Sequence, residues 1–123
     1  MKSANLGDMS VAELVEQFSA TCVGQNKALL GGEYSKFNRL FDRMVAVEKE
    51  LKSRPGDQRR ALMSLYDHPD MQVRLQAAKV TLAVAPEAAR AMLERIKDWR
   101  RQPQAGDAGM CLWNLDRGVF VPK

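Results

Sequence analysis

The sequence predicts an all-helical protein of five to six helices. Apolar residues recur at intervals of three and four in successive segments, which is the spacing of one face of an α-helix. Glycines and prolines separate these segments, at Gly31-Gly32, Pro55-Gly56, Pro69 and Pro86. Only residues 119–123 look extended, since proline and β-branched residues disfavour a helix there.

The length and composition indicate one compact globular domain. The 123 residues are about one domain, which we expect over residues 10–118, between tails at 1–9 and 119–123. An apolar content of 46% and a charged content of 28% are ordinary globular values and exclude a wholly disordered chain. The net charge of +4 is spread thinly along the chain, so charge alone is a weak indication of nucleic-acid binding.

The first two helices are predicted to form an antiparallel hairpin. Ser10 and Glu13 have the spacing of a capping box, and Gly31-Gly32 ends the helix that follows. The second helix is expected from about Glu33 to Lys52, and the two-glycine link leaves room only for an antiparallel turn. Its apolar stripe consists of Phe37, Leu40, Phe41, Met44, Val45, Val47 and Leu51.

Four more helices are predicted after Pro55-Gly56. Asp57, Asp70 and Asp107 can each accept hydrogen bonds from the first amides of a helix, and Pro86 suits a first turn. The helix after Asp70 is apolar on two sides, so we expect it at the centre of the domain. The expected helices lie at 57–66, at 71–84, from Pro86 to about Arg101, and after the loop 102–106 as far as Gly118.

The two cysteines and the hydropathy predict a cytoplasmic protein. Cys22 and Cys111 belong to no CxxC pair and are interpreted as two free thiols in a reducing compartment. The first residues lack the apolar stretch of a signal peptide. The longest apolar stretch, residues 75–86, is too short to span a membrane.

The residues that carry chemistry do not form a catalytic set. His68 is the only histidine, and no second histidine or cysteine lies at the spacing of a metal ligand. The turn Asp67-His68-Pro69-Asp70 is explained by the start of a helix alone. Neither Gly31-Gly32 nor the stretch from Gly106 to Gly109 is accompanied by the lysine of a phosphate-binding loop. We therefore expect no enzyme, no cofactor and no metal.

Basic and aromatic side chains supply the candidate binding residues. The helix Arg90–Arg101 could carry a basic strip on which Trp99 stacks on a base, although a solvated face explains the same charges. Trp99 and Trp113 fit the core, while tryptophan and arginine are also common at interface hot spots. The residues proposed for partner binding are Lys36, Arg39, Arg43, Arg95, Trp99, Arg100, Arg101 and Asp107.

The segment from Arg59 to Leu93 resembles a HEAT repeat. A short helix leads to Asp67-His68-Pro69-Asp70, then to Val73-Arg74, an alanine-rich helix and a proline. In HEAT repeats, the aspartate and the Val-Arg pair stand at the start of the second helix of each unit. The resemblance implies one good HEAT-like unit at about 57–101. Stacked repeats would bury a continuous core, whereas one unit implies a short helical face.

Three stretches make the whole chain similar to a family of short bacterial proteins of unknown function. The first is residues 10–15 and the second is residues 36–41. The third begins with residues 59–62 and ends with residues 104–110. Some small HEAT-like bacterial proteins are immunity proteins for contact-delivered or type VI secreted toxins. The resemblance implies a protein-binding module that neutralises a toxin by stoichiometric occlusion of its active site. The alternative is a nucleic-acid-binding module that uses the Arg90–Arg101 face. The oligomeric state stays open.

Overall fold

The structure, a computed structural model, describes residues 5–123 and confirms the all-helical fold class. Within this range the chain forms five α-helices and two 3-10 segments, with no strand. No helix of this range is long and apolar enough to cross a membrane. The α-helices are α1 (Val11–Leu30), α2 (Tyr34–Ser53), α3 (Met71–Thr81), α4 (Pro86–Trp99) and α5 (Gln104–Asp116), and the 3-10 segments are Leu6–Asp8 and Gln58–Asp67.

The chain divides between Ala61 and Leu62 into two compact units. The first holds α1 and α2, and the second holds α3, α4 and α5. One domain over residues 10–118 stays a prediction. Of the predicted N-terminal tail 1–9, residues 1–4 lie outside the described residues, and Leu6–Asp8 form a 3-10 turn.

The first unit is an antiparallel helical hairpin. The Cys22 and Met44 sulfurs lie 3.7 Å apart, and the side chains of Gln17 and Arg43 are joined by a hydrogen bond of 3.3 Å. A Cβ on Gly24 would lie 3.0 Å from Leu40 Cδ1, so a larger residue there would push Leu40 aside. These pairs place the middle of α1 against the middle of α2, as the short Gly31-Gly32 link predicted.

The start of α1 is a complete capping box, as the sequence predicted. The Glu13 backbone amide donates to Ser10 Oγ at 3.1 Å, and the Ser10 amide donates to the Glu13 carboxylate at 2.8 Å. Both amides would otherwise have no partner within the helix. At the other end, Gly32 has a φ of +69°, a conformation in which a side chain would be strained.

Replacing Ser10 by alanine is therefore expected to lower the free energy of unfolding by about 1 kcal/mol. The loss arises because the Glu13 amide no longer has a side-chain acceptor. Urea denaturation followed by circular dichroism measures the change. The variant Ser10→Thr keeps the hydroxyl and serves as the control; equal losses in the two variants would contradict the capping role.

The second unit is built around a core that α3, α4 and α5 share. The three helices pack pairwise, and most of α3 is buried, which agrees with its two-sided apolar pattern. Tyr66 adds a side-chain hydrogen bond of 2.5 Å to Thr81 near the end of α3. The buried residues of this core are Leu75, Ala78, Leu82, Ala89, Met92, Leu93, Ile96, Ala108, Cys111 and Leu112.

The largest differences from the sequence-based prediction lie at one end of each of two helices. The fourth predicted helix, 71–84, ends at Thr81 because Pro86 disfavours the helical conformation at Ala85, which adopts φ −147° and ψ 65°. The last helix begins at Gln104, inside the predicted loop 102–106. In the C-terminal tail, the amides of Val119 and Phe120 both donate to the Asn114 carbonyl and hold the tail against α5.

Candidate interaction surface

The end of α4 presents an exposed tryptophan beneath an arginine. Trp99 is the last residue of α4 and 43% of it is exposed, so the prediction that it belongs to the core is wrong. The guanidinium carbon of Arg74, on α3, lies 5.1 Å from the centre of the Trp99 ring. This cation–π contact joins two helices and fixes both side chains at the surface.

The turn before α3 holds Arg74 in place. Arg74 Nε donates a short hydrogen bond to the His68 carbonyl. The Asp70 carboxylate accepts from the Gln72 amide at 2.9 Å and caps α3, as predicted. His68 Nδ1 accepts from the Asp70 amide at 3.0 Å. The Asp67-His68-Pro69-Asp70 motif therefore starts α3 and positions Arg74 over Trp99.

Two more arginines follow Trp99 directly. Arg100 ends α4 in the left-handed conformation, with φ +60°, and both Arg100 and Arg101 are exposed. Their positive charge is favourable at the end of a helix, where the backbone carbonyls carry partial negative charge. Arg95 lies four residues before Trp99, so it shares the same face of α4. We call the group Arg74, Arg95, Trp99, Arg100 and Arg101 the Trp99 surface.

A cavity of about 330 Å³ opens beside the tryptophan. We call it the Trp99 cavity. Arg74 and Arg101 bring two guanidinium groups to its wall, and Trp99 contributes an aromatic ring. Pro69 and Met71 complete the lining.

Arg90, at the other end of the predicted basic strip, is already paired. Its guanidinium donates to both oxygens of Asp116, at 2.8 and 3.1 Å, and also lies 3.4 Å from the Glu94 carboxylate. The hydrogen bonds from Arg90 hold the pKa of Asp116 below its usual value. Not every arginine of the strip from Arg90 to Arg101 is therefore available to a partner. The arginines of the strip without an ion pair in residues 5–123 are Arg95, Arg100 and Arg101.

Asp107 does not cap the last helix, contrary to the prediction. It lies inside the first turn of α5, where its carboxylate accepts a hydrogen bond of 3.0 Å from Lys79. The acceptor at the start of α5 is instead Gln102 Oε1, 2.9 Å from the Gly106 amide. The helix begins at Gln104, earlier than predicted, because Gln104 is buried and its amide group donates to Gln72 at 3.0 Å.

Three of the proposed binding residues belong to the first unit. Lys36 and Arg39 on α2 are exposed, whereas Arg43 is partly buried and donates to Gln17 on α1. Next to them, Phe37 and Phe41 stack with ring centres 6.2 Å apart, and Phe41 is 38% exposed. The predicted apolar stripe of α2 is thus buried only at Met44, Val47 and Leu51.

A second exposed tryptophan occurs on α5. Trp113 is 56% exposed, and the Arg117 guanidinium lies 4.6 Å from the centre of its ring. The prediction that Trp113 belongs to the core is therefore wrong. Arg117 comes from the same stretch of chain, four residues on, so this pair is local and does not join two helices.

Comparisons with known proteins identify the family and a relative of known structure. Residues 12–116 match the model of a family described as a domain of unknown function, DUF2019. The chain belongs to the DUF2019 family. It is also similar to the protein RPA1889 from Rhodopseudomonas palustris, whose crystal structure it matches with 55% sequence identity and a TM-score of 0.95. That match covers 98% of this chain and 100% of the other. No curated protein matches the chain.

The family match spans the Trp99 surface and confirms the resemblance to short bacterial proteins of unknown function. Among the described residues, no group of three or more His, Cys, Asp or Glu side chains could hold a metal ion. Neither cysteine forms a disulfide and both are buried, and burial raises the pKa of the Cys111 thiol. A thiol of raised pKa is a poor nucleophile, so Cys111 does not suggest catalysis.

Proposed function

We propose that the protein is a binding module that docks one protein partner on the Trp99 surface, and that it is not an enzyme. The observation that carries this proposal is the exposed Trp99 held beneath Arg74 by the turn before α3. Tryptophan and arginine dominate the hot spots of protein interfaces. A side chain that is already fixed in the free protein loses little conformational entropy on binding.

The charges around Trp99 favour an acidic partner. Among residues 5–123, no carboxylate forms an ion pair with Arg95, Arg100 or Arg101. Lys79 and Arg90, in contrast, are paired with Asp107 and Asp116. Complementary charge on the partner would speed association and exclude basic competitors.

The most concrete form of this proposal is an immunity protein that neutralises a contact-delivered or type VI secreted toxin. It would act by stoichiometric binding over the active site of the toxin. Support comes from the resemblance to small HEAT-like bacterial proteins and from the compact helical scaffold. Two buried cysteines that form no disulfide are typical of a reducing compartment, so we also propose a cytoplasmic location.

The experiment begins with recovery of the partner from the native cell, using the tagged chain as bait. The recovered protein is then produced separately, and binding is measured by calorimetry. We expect a one-to-one complex, and Trp99→Ala should weaken it by about 2 kcal/mol, or roughly 30-fold. If the partner is a toxin, co-expression of this protein should restore the growth of cells that produce it.

Trp113→Ala is the matched control, because it also removes an exposed tryptophan that lies under an arginine on the second unit. It should leave the affinity within about threefold of the unsubstituted protein. Loss of binding in Trp113→Ala but not in Trp99→Ala would refute the assignment of the surface. Recovery of nucleic acid alone, with an affinity that falls steeply as salt rises, would favour the nucleic-acid alternative.

A further inference from the structure

The Trp99 cavity has the lining of a site for an anionic group. Two guanidinium groups, from Arg74 and Arg101, line a space of about 330 Å³, and no carboxylate is among the lining residues. Neither arginine forms an ion pair with a carboxylate within residues 5–123. Two positive groups at one cavity leave a charge that a ligand can balance.

Arg74 is already oriented for a planar, two-oxygen ligand. Its Nε donates to the His68 carbonyl, and its guanidinium carbon lies 5.1 Å from the centre of the Trp99 ring. No hydrogen bond within the described part of the chain engages its two terminal nitrogens. A guanidinium with free terminal nitrogens binds a carboxylate through two parallel hydrogen bonds.

The size and the apolar walls of the cavity favour a side chain over a free ion. A volume near 330 Å³ is at the lower end of ligand pockets and is large enough to admit an acidic side chain together with part of the backbone that carries it. Met71, Pro69 and the Trp99 ring offer contacts for the methylene groups of glutamate or aspartate. A phosphate ion would leave those apolar walls without a contact.

We propose that the Trp99 cavity receives an acidic side chain of the partner protein, with Arg74 binding its carboxylate through two hydrogen bonds and Arg101 supplying a second positive charge. This inference rests on the proposed function, because it takes the ligand to be part of a protein. It assigns different tasks to the two arginines. Arg74 provides fixed geometry, whereas Arg101 provides charge on an exposed side chain.

The test uses a blocked tetraglutamate peptide as the probe and a blocked tetraglutamine peptide as its uncharged counterpart. Binding to the full chain is followed by the NMR signals of the two tryptophan indole N–H groups, which Trp99→Phe assigns. We expect tetraglutamate to shift the Trp99 signal and to leave the Trp113 signal in place. Tetraglutamine should shift neither signal.

Substitutions then separate geometry from charge. Arg74→Gln and Arg74→Lys should each weaken tetraglutamate binding at least about fivefold, because lysine cannot form the paired hydrogen bonds. Arg101→Gln should weaken binding to a similar extent, while Arg101→Lys should retain it. The matched control is Arg117→Gln, which removes the arginine over Trp113 and should leave binding unchanged.

Three results would overturn the inference. One is an unshifted Trp99 signal at saturating tetraglutamate, and another is equal weakening by Arg117→Gln and Arg101→Gln. The third is tighter binding of oligothymidine than of tetraglutamate with the same dependence on Arg74 and Arg101, which would indicate a phosphate site. If Arg74→Gln fails to fold, the exposed Arg101 variants still decide the question.

The inference and the proposed function can fail separately. A stoichiometric protein complex that Trp99→Ala weakens and Arg101→Gln does not would retain the proposed function and reject the carboxylate site. Absence of any protein partner, together with specific tetraglutamate binding at Trp99, would retain the carboxylate site and reject the proposed function.

Discussion

Replacing Leu93 by alanine is expected to lower the free energy of unfolding by about 3–4 kcal/mol. Leu93 lies on α4 with none of its surface exposed, in the core that α3, α4 and α5 share. Removing its branched end forfeits apolar burial and leaves a cavity that the three helices can close only in part. Urea denaturation followed by circular dichroism measures the loss.

Leu93→Met is the control for this prediction, because methionine has nearly the same volume and a flexible side chain. It should cost less than about 1.5 kcal/mol. If Leu93→Ala cost no more than Leu93→Met, the site would be able to collapse around the smaller residue. The core of the second unit would then be less tightly packed than the complete burial of Leu93 indicates.

The helices could be predicted because their signals are local. The capping box at Ser10 and Glu13, the Asp70 cap and the first-turn Pro86 each depend on residues within four positions of one another, and all three are present in the structure. The HEAT-like motif was also local, and its Arg74 reaches the His68 carbonyl of the same turn. Such contacts form largely independently of the rest of the chain.

Trp113 was placed in the core by its residue type, although its position in α5 argued otherwise. At 100° per residue, it lies about 140° around the helix from the buried Ala108. Trp99 has no comparable signal, because it continues the apolar face of Ile96. Trp99 is exposed because it is the last residue of α4. Where a helix ends relative to the helices it packs against depends on tertiary contacts, which the spacing of apolar residues does not show.

The candidate binding residues were predicted by charge, which does not reveal pairing. Of the residues predicted from the strip, Arg101 lines the Trp99 cavity together with Trp99. Arg74, which also lines it, is not among the predicted binding residues because the HEAT-like motif explained it as a structural residue. The prediction that Asp107 caps the last helix is wrong because a buried contact of Gln104 with Gln72 starts that helix earlier. Contacts between residues 32 positions apart in the chain are not visible in local spacing.

Replacing Asp57 by asparagine is expected to lower the free energy of unfolding by about 2–3 kcal/mol at neutral pH. Arg59 is only 4% exposed, and the Asp57 carboxylate accepts from its Nε at 2.9 Å and from its Nη2 at 2.7 Å. The substitution leaves a buried guanidinium without its bidentate partner. The loss stays below that of a fully buried pair because 33% of the Asp57 side chain is exposed. Asparagine tolerates the left-handed backbone at this position, φ +50°, so the change adds no backbone strain.

The ion pair between Asp57 and Arg59 also lets us predict how the difference in unfolding free energy between the Asp57→Asn variant and the unsubstituted protein depends on pH. The hydrogen bonds from Arg59 hold the pKa of Asp57 below its usual value, so the folded state retains the carboxylate at pH values where the unfolded chain binds a proton. The contribution of Asp57 is therefore fully present above the unfolded pKa of about 3.9 and is lost as the pH falls through the lower folded pKa. Urea denaturation of both proteins between neutral pH and about pH 3 should show their difference shrinking only at the acid end of the range.

Asp116→Asn is the control for the pH series, since Arg90 also lowers the pKa of Asp116 but that pair lies at the exposed surface. Water and salt screen an exposed pair, so Asp116→Asn should leave the unfolding free energy unchanged within error. A difference for Asp57→Asn that persisted undiminished into acid would show that the loss comes from shape or backbone and not from charge. Glu48 is a second carboxylate whose charge interacts with Arg59: burial raises the pKa of Glu48, and the positive charge of Arg59 opposes that rise.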